Sequence, residues 1–287
     1  MSACACPKTK PISEMDARER CLLINDLTPR GGLYSEVHRP IHDRSNAPWR
    51  ISPEPFWIPR QVFDHLEALG AHLLSFYKAC NLLYSQSVRS IQPTWISEYL
   101  DQGKPESLVA FGRMNRIKQH LPHVIRPDLI PVKGAMIATE LDSVPGGIGF
   151  TAGLSQRYGK LGYPIVGGPD GMVAGFADMI RSVAAREEPV LAIVVSEECT
   201  DYHSEMTWLG KETKRFGLRV AIVSPEEVDF SEQGLRVCLD GAPTHVDVLY
   251  RFFELFDLRN IPKAELFLYA AKKETGVITP PPKAYLE

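Results

Sequence analysis

Residues 189–223 read PVLAIVVSEECTDYHSEMTWLGKETKRFGLRVAIV, and this stretch decides the fold class. Pro189 opens a near-continuous apolar run, Val190 to Val195. Such runs are strands covered on both faces, usually central and parallel. A helical segment follows over Ser204–Phe216, with Met206, Leu209 and Phe216 apolar and Gly217 placed as a C-cap. Leu218–Val223 is the next apolar strand. Strand, helix and strand in that order predict a parallel sheet and an α/β fold. Ligands of such sheets gather beyond the C-terminal strand ends. The loop there carries Glu197, Glu198, Cys199, Asp201 and His203. Cys199, Asp201 and His203 suit a nucleophile with a base. A merely polar loop has the same composition.

Working outward, Ser224-Pro-Glu-Glu227 opens a helical turn, with Ser as N-cap, Pro at the first position and Glu three residues on. Leu235, Val237 and Leu239 alternate, Asp240-Gly241 turns, and Val246, Val248 and Tyr250 alternate again. A helix over Ala264–Lys272 and a short strand Val277–Thr279 precede three prolines. Upstream, helices are predicted over 151–160 and 171–186, with a short strand or turn at 162–168. Val62, Leu66, Leu69, Leu73, Phe76, Cys80 and Leu83 step alternately by four and three. That stripe, widened by Phe63, Tyr77 and Tyr84, predicts a long amphipathic helix with this face in the core. Shorter helices are expected over 94–101 and 108–119. Residues 1–58 read as an irregular segment, broken by prolines, whose Trp49, Phe56 and Trp57 pack on the body. The chain thus divides into 1–58, a helical region 59–188 and a sheet region 189–287.

The 287 residues, 44% apolar and 23% charged with a net charge of −3, describe an ordinary globular chain. The mild negative balance argues against a nucleic-acid binder, which shows a basic face. No apolar run approaches a membrane span and no leader-like segment opens the chain, so no membrane partner is expected. Six cysteines, at 4, 6, 21, 80, 199 and 238, form no CxxC pair and no disulfide framework. A reducing cytoplasm fits that usage. His38, His42, His120, His123 and His245 show no metal-ligand spacing, and Cys4-Ala-Cys6 reads as tail.

Chemistry concentrates in residues 123–154, HVIRPDLIPVKGAMIATELDSVPGGIGFTAGL. Two runs of strand character flank Lys133-Gly134, a turn signal. A three-residue loop centred on Gly134 sets Asp128 opposite Glu140 and Arg126 opposite Asp142, all on one face. A two-residue turn breaks this, because a one-residue change of register flips a strand. Three close carboxylates call for a cation, a proton or a metal. Carboxylates bridging to phosphates are the ordinary Mg²⁺ site of phosphoryl transfer. Gly146, Gly147 and Gly149 then let backbone N–H groups approach an anion at a helix N-terminus. A solvated hairpin with cross-strand ion pairs satisfies the same spacing.

Arg126-x-Asp128, eleven intervening residues, then Glu140-x-Asp142 and a Pro-Gly turn resemble the metal-binding strand pair of ATP-grasp ligases. The pattern is most similar to the circularly permuted branch typified by glutathionylspermidine synthase. The stretch THVDVLYRFFEL, residues 244–255, resembles that branch's Rossmann-like domain, and the resemblance spans roughly 110–287. It implies an α/β fold with a helical N-terminal region, a metal-site hairpin and a Rossmann-like pre-ATP-grasp sheet. It implies that Asp128, Glu140 and Asp142 hold Mg²⁺, that Arg126 steadies the transferred phosphoryl group, and that ATP activates a carboxylate for attack by an amine. Glu198, Asp201 and Arg251 line the expected substrate crevice. The family has Asn where this chain has Asp142. Its nucleotide-gripping lobe follows the strand-and-proline junction where this sequence stops, so a second polypeptide carrying that lobe is an expected partner.

Two other classes compete. Gly147-Ile-Gly149-Phe-Thr-Ala152, with Asp170 beyond it, fits the dinucleotide fingerprint of an oxidoreductase, although that turn ought to leave an apolar strand directly. A non-catalytic fragment, split subunit or binding module is the third class.

Overall fold

The computed structural model describes residues 10–27, 51–133, 135–283 and 285. Trp49, Cys4, Cys6, His38, His42, Gly134 and most of the expected irregular segment lie outside these residues. The chain order is α1 (Ala17–Leu27), α2 (Arg60–Val88), α3 (Trp95–Asp101), α4 (Glu106–Gly112), β1 (Arg126–Val132), β2 (Ala135–Asp142), α5 (Ile148–Lys160) and α6 (Gly171–Ala184). Then come β3 (Val190–Val195), α7 (His203–Thr213), β4 (Arg219–Val223), β5 (Asp229–Ser231), β6 (Gly234–Leu239), β7 (Ala242–His245), β8 (Val248–Phe252), α8 (Ala264–Lys273) and β9 (Val277–Thr279).

The fold is mixed α/β. A four-stranded sheet runs β4-β3-β8-β9 with every pairing parallel. β5-β6-β7 form an antiparallel sheet, and β1-β2 a separate hairpin. All six residues of β3 are buried, because helices or strands cover both of its faces. Val190, Ala192 and Val194 point into one core with Leu108, Phe111, Leu235, Val237 and Phe267. Leu191, Ile193 and Val195 point into the other with Ile148, Phe176, Ile180, Met206 and Leu209. This two-residue alternation is why the strand reads as continuously apolar. Each buried Val, Leu, Ile, Phe or Met among them contributes about 1.5–3 kcal/mol. The expected division at 188–189 runs through both cores.

Three local expectations change. The first concerns α2, where Tyr77 and Tyr84 at the edge of the predicted stripe are buried with Asn81 and Ser87, while Phe76 and Leu83 of its centre are 54% and 40% exposed. Polar bonds select this flank. Ser87 Oγ donates to the Pro93 carbonyl at 2.6 Å, and Tyr84 Oη donates to Asp101 at 2.7 Å. Periodicity shows which face is apolar, but not which partner meets the helix. The second concerns Phe56, which is 77% exposed instead of packed on the body; Trp57 keeps one edge contact, to Tyr163. The third concerns the second alternating run after Asp240-Gly241, which is split. β7 completes the small sheet on β6, while Val248–Phe252 enters the parallel sheet, steered by Asp247, whose carboxylate accepts the Val190 N–H at 2.8 Å. No helix among the described residues is long and apolar enough to cross a membrane.

Lys283 is fully buried beside α2. Its Nζ donates to the Lys118 carbonyl at 2.8 Å, Tyr285 Oη at 3.1 Å and Asn81 Oδ1 at 3.3 Å, all neutral acceptors. Burial pulls its pKa down to about 8. Between that value and the ordinary 10.5, the unfolded chain holds a proton that the folded chain has released. Stability therefore rises with pH across this window, and Lys283 adds no slope below it. Urea unfolding from pH 7.5 to 10.5 is expected to show the parent gaining on Lys283→Met as pH rises. Parallel pH profiles for the two proteins would contradict the assignment.

Candidate functional site

The hairpin reaches its expected pairing by an unexpected route. Val132 pairs with Ala135, so two residues separate the strands rather than three. Continued unchanged, that register would set Asp128 against Thr139 and turn Glu140 to the other face. Instead, Leu129 pairs with Ala138 while Asp128 pairs with Glu140. Thr139 is the extra residue of a β-bulge, and its hydroxyl donates to the Asp128 carbonyl at 3.2 Å. Arg126 then lies opposite Asp142. A short turn plus one bulged residue equals the three-residue loop that the spacing suggested.

Arg126 organises this face. Its Nε donates to Asp128 Oδ1 at 3.0 Å, its Nη2 lies 3.2 Å from Asp142 Oδ2, and its Nη1 donates to the Gly146 carbonyl at 3.0 Å. Burial works to lower the Arg126 pKa, but the Asp128 hydrogen bond and the charges of Asp142, Asp128 and Glu140 outweigh it and raise the pKa. Asp142 also accepts the Val144 N–H at 2.8 Å, which ties the hairpin to the core through buried Val144. Glu140 is exposed and acts on Arg126 through space. Among the described residues no three Asp, Glu, His or Cys side chains converge enough to hold a metal. The donors are hard carboxylate oxygens on one face, the chemistry Mg²⁺ requires. Of the expected Asp128, Glu140 and Asp142 set, Arg126 holds two members, Asp128 and Asp142.

The glycine turn is not an open anion cradle. Gly147 has φ +88 and opens α5. The start of α5 faces buried Glu205 of α7: the Gly149 N–H donates to Glu205 Oε1 at 3.1 Å, and the Gly147 and Phe150 amides lie near enough to this carboxylate to favour its charged form. Burial raises the Glu205 pKa against the lowering effect of those amides and Arg126. A Cβ at Gly149 would lie 2.9 Å from Glu205 Cγ, and one at Gly146 would lie 2.3 Å from the Tyr202 ring. These two glycines admit side chains, not phosphate. Sequence reasoning missed Glu205 and Tyr202. The available signal was an acid four residues before Leu209, on the same buried side of a helix.

At the strand ends, Glu198 and Asp201 are exposed on the turn Glu197–Tyr202. Burial, then Glu198, raises the Asp257 pKa. Burial also raises the Cys199 thiol, and Glu254, Asp257 and Glu198 reinforce the shift. A raised thiol is a poor nucleophile. Arg251 does not line this crevice. It is 1% exposed and donates to the carbonyls of Pro280 at 2.9 Å and Phe253 at 2.7 Å. The Tyr250 hydroxyl is buried without a hydrogen-bond partner among the described residues. The glycines of the dinucleotide pattern follow an antiparallel hairpin strand rather than the first strand of a βαβ unit, and Asp170 is engaged by Gln156 at 2.9 Å. A hollow of about 400 Å³ lies at the other end of β8 and β9, lined by Arg116, His120, Glu274 and Pro281 among others.

No protein-family model and no curated protein matches this chain. If Arg251 is structural, Arg251→Met strands two buried carbonyl acceptors at about 1–3 kcal/mol each. Urea denaturation is expected to show a loss of about 2–5 kcal/mol. A change below about 0.5 kcal/mol, the ordinary range for a surface substitution, would return Arg251 to the candidate ligand residues.

Proposed function

We propose that the hairpin face is the phosphoryl-handling half of an ATP- and Mg²⁺-dependent carboxylate–amine ligase of the ATP-grasp type, with the parallel sheet as its Rossmann-like domain. The observation that carries the reading is Arg126, held between Asp128 and Asp142 on the face that also bears Glu140. In the proposed reaction a substrate carboxylate takes the γ-phosphoryl group of ATP, releasing ADP. The amine then attacks the acyl carbon, the amide forms and phosphate leaves. Mg²⁺, held by Asp128, Glu140 and Asp142, would neutralise phosphate charge.

The remaining work falls to Arg126. Its ion pair with Asp128 joins side chains 41% and 46% exposed, and a pair of that kind contributes only about 0.2–1 kcal/mol. Trading that carboxylate for a phosphoryl oxygen is therefore cheap, and the trade frees Asp128 for the metal. The site assembles with the nucleotide rather than before it. Exposed Glu198 and Asp201, with Asp257 nearby, suit a cationic amine. Arg126 and Asp128 share a face with Ile130 and Val132, which are 53% and 41% exposed, and with Ile137, paired to Ile130 and 53% exposed. This apolar extension supports a reading in which a second polypeptide or lobe closes over the nucleotide. Cys80, Cys199 and Cys238, which form no disulfide among the described residues, fit a cytoplasmic setting. A second reading, a non-catalytic binding module, is favoured by the one observation that no three ligands converge among the described residues.

Titration of Mn²⁺ with and without ATP separates the two. Weak binding alone is expected, with affinity at least roughly tenfold tighter in the presence of ATP. Asp128→Asn and Glu140→Gln should each lose that gain. Parent-like binding by both variants with ATP present would leave the binding-module reading standing.

A further inference from the structure

We propose that Glu205 is a positioning residue for Arg126, acting through the glycine turn; the role rests on the reading of Arg126 as the phosphoryl-facing cation. Glu205 is 5% exposed and sits on α7, which packs against α5 and against β3 and β4 of the parallel sheet. Its carboxylate accepts the Gly149 N–H in the first turn of α5 at 3.1 Å. Fixing the start of α5 fixes the turn just before it, whose Gly146 carbonyl accepts Arg126 Nη1 at 3.0 Å. Tyr202, from the turn leading into α7, closes the Gly146 side, where a Cβ would have no room. The turn is thus gripped from two sides by one stretch of chain, Tyr202 to Glu205.

The three acceptors of Arg126 are therefore unequal. Asp128 and Asp142 are carboxylates on or near the surface, with side chains 46% and 21% exposed. The Gly146 carbonyl is backbone, locked in place through α5. When the guanidinium leaves Asp128 for a ligand oxygen, Gly146 is the pivot about which it turns. A carboxylate placed beside Met206 and Leu209 in an apolar core is costly unless it is fully hydrogen-bonded. Helix capping alone is met more cheaply by a Ser, Thr, Asp or Asn at the N-cap, a position held here by Gly147. A remote buried acid in that role is explained by what the turn must hold.

The test reads the Arg126 Nε–H directly, by hydrogen exchange of its side-chain resonance in the whole chain, assigned by its loss in Arg126→Lys. The parent is expected to show protection. Glu205→Ala should exchange roughly tenfold faster. Glu205→Gln, which keeps an acceptor oxygen, should stay close to the parent, as should Leu209→Ala, which weakens the same core without touching the turn. If Glu205→Ala does not fold, Glu205→Asp withdraws the carboxylate by one methylene and must also accelerate exchange. Unchanged exchange in whichever variant folds overturns the proposal, as does equal acceleration in Leu209→Ala or a parent already unprotected. No metal or nucleotide is present, so this outcome is independent of the Mn²⁺ and ATP titration that tests the ligase reading.

Discussion

The register of one hairpin governs everything proposed for this chain. Asp128, Glu140, Arg126 and Asp142 share a face because Thr139 is bulged out of β2. With a two-residue turn and no bulge, the acids would divide between the two faces and Arg126 would keep Asp128 of its own strand but lose Asp142. The bulge is stabilised locally, since the Thr139 hydroxyl supplies a donor to the Asp128 carbonyl at the point of irregularity. A net contribution near 1 kcal/mol is the usual scale for such a bond. It suffices here because the competing register would also place like charges and apolar residues on the wrong faces.

The body of the protein supplies what a two-stranded hairpin cannot, since such a ribbon is marginal alone. Val144 anchors its C-terminal end in the core behind β3 and β8, and the glycine turn that follows is packed against Tyr202 and Glu205. The charged end of the hairpin is thus held at the C-terminal ends of the parallel strands, where loops are free to bind. Its outer end, with Ile130, Val132 and Ile137, stays exposed. Rigid base and open tip follow from one anchoring point.

Much of this was legible in the sequence. The apolar run Val190–Val195 identified the central strand because a strand covered on both faces needs no polar residues. The acid spacing identified the shared face, although the loop length was wrong: Thr139 carries no local mark of a bulge, and Gly134 suited either turn. The stripe on α2 located the helix, and its Tyr77 and Tyr84 edge is the buried one, because polar bonds from Ser87 and Tyr84 set the packing flank. Gly146 and Gly149 resembled a phosphate cradle because sequence shows that a Cβ is absent but not what fills the space. Arg251 resembled a ligand residue for a similar reason, since a cation after a strand reads alike whether it faces solvent or two buried carbonyls.

The most direct measurement is the set of cross-strand backbone nuclear Overhauser contacts of the hairpin in solution. The expected result is contact between Ile130 and Ile137 near the turn, and between Asp128 and Glu140 and Arg126 and Asp142 beyond the bulge. A uniform register, with Asp128 facing Thr139 and Arg126 facing Leu141, would contradict it and remove the shared face on which the proposed site is built.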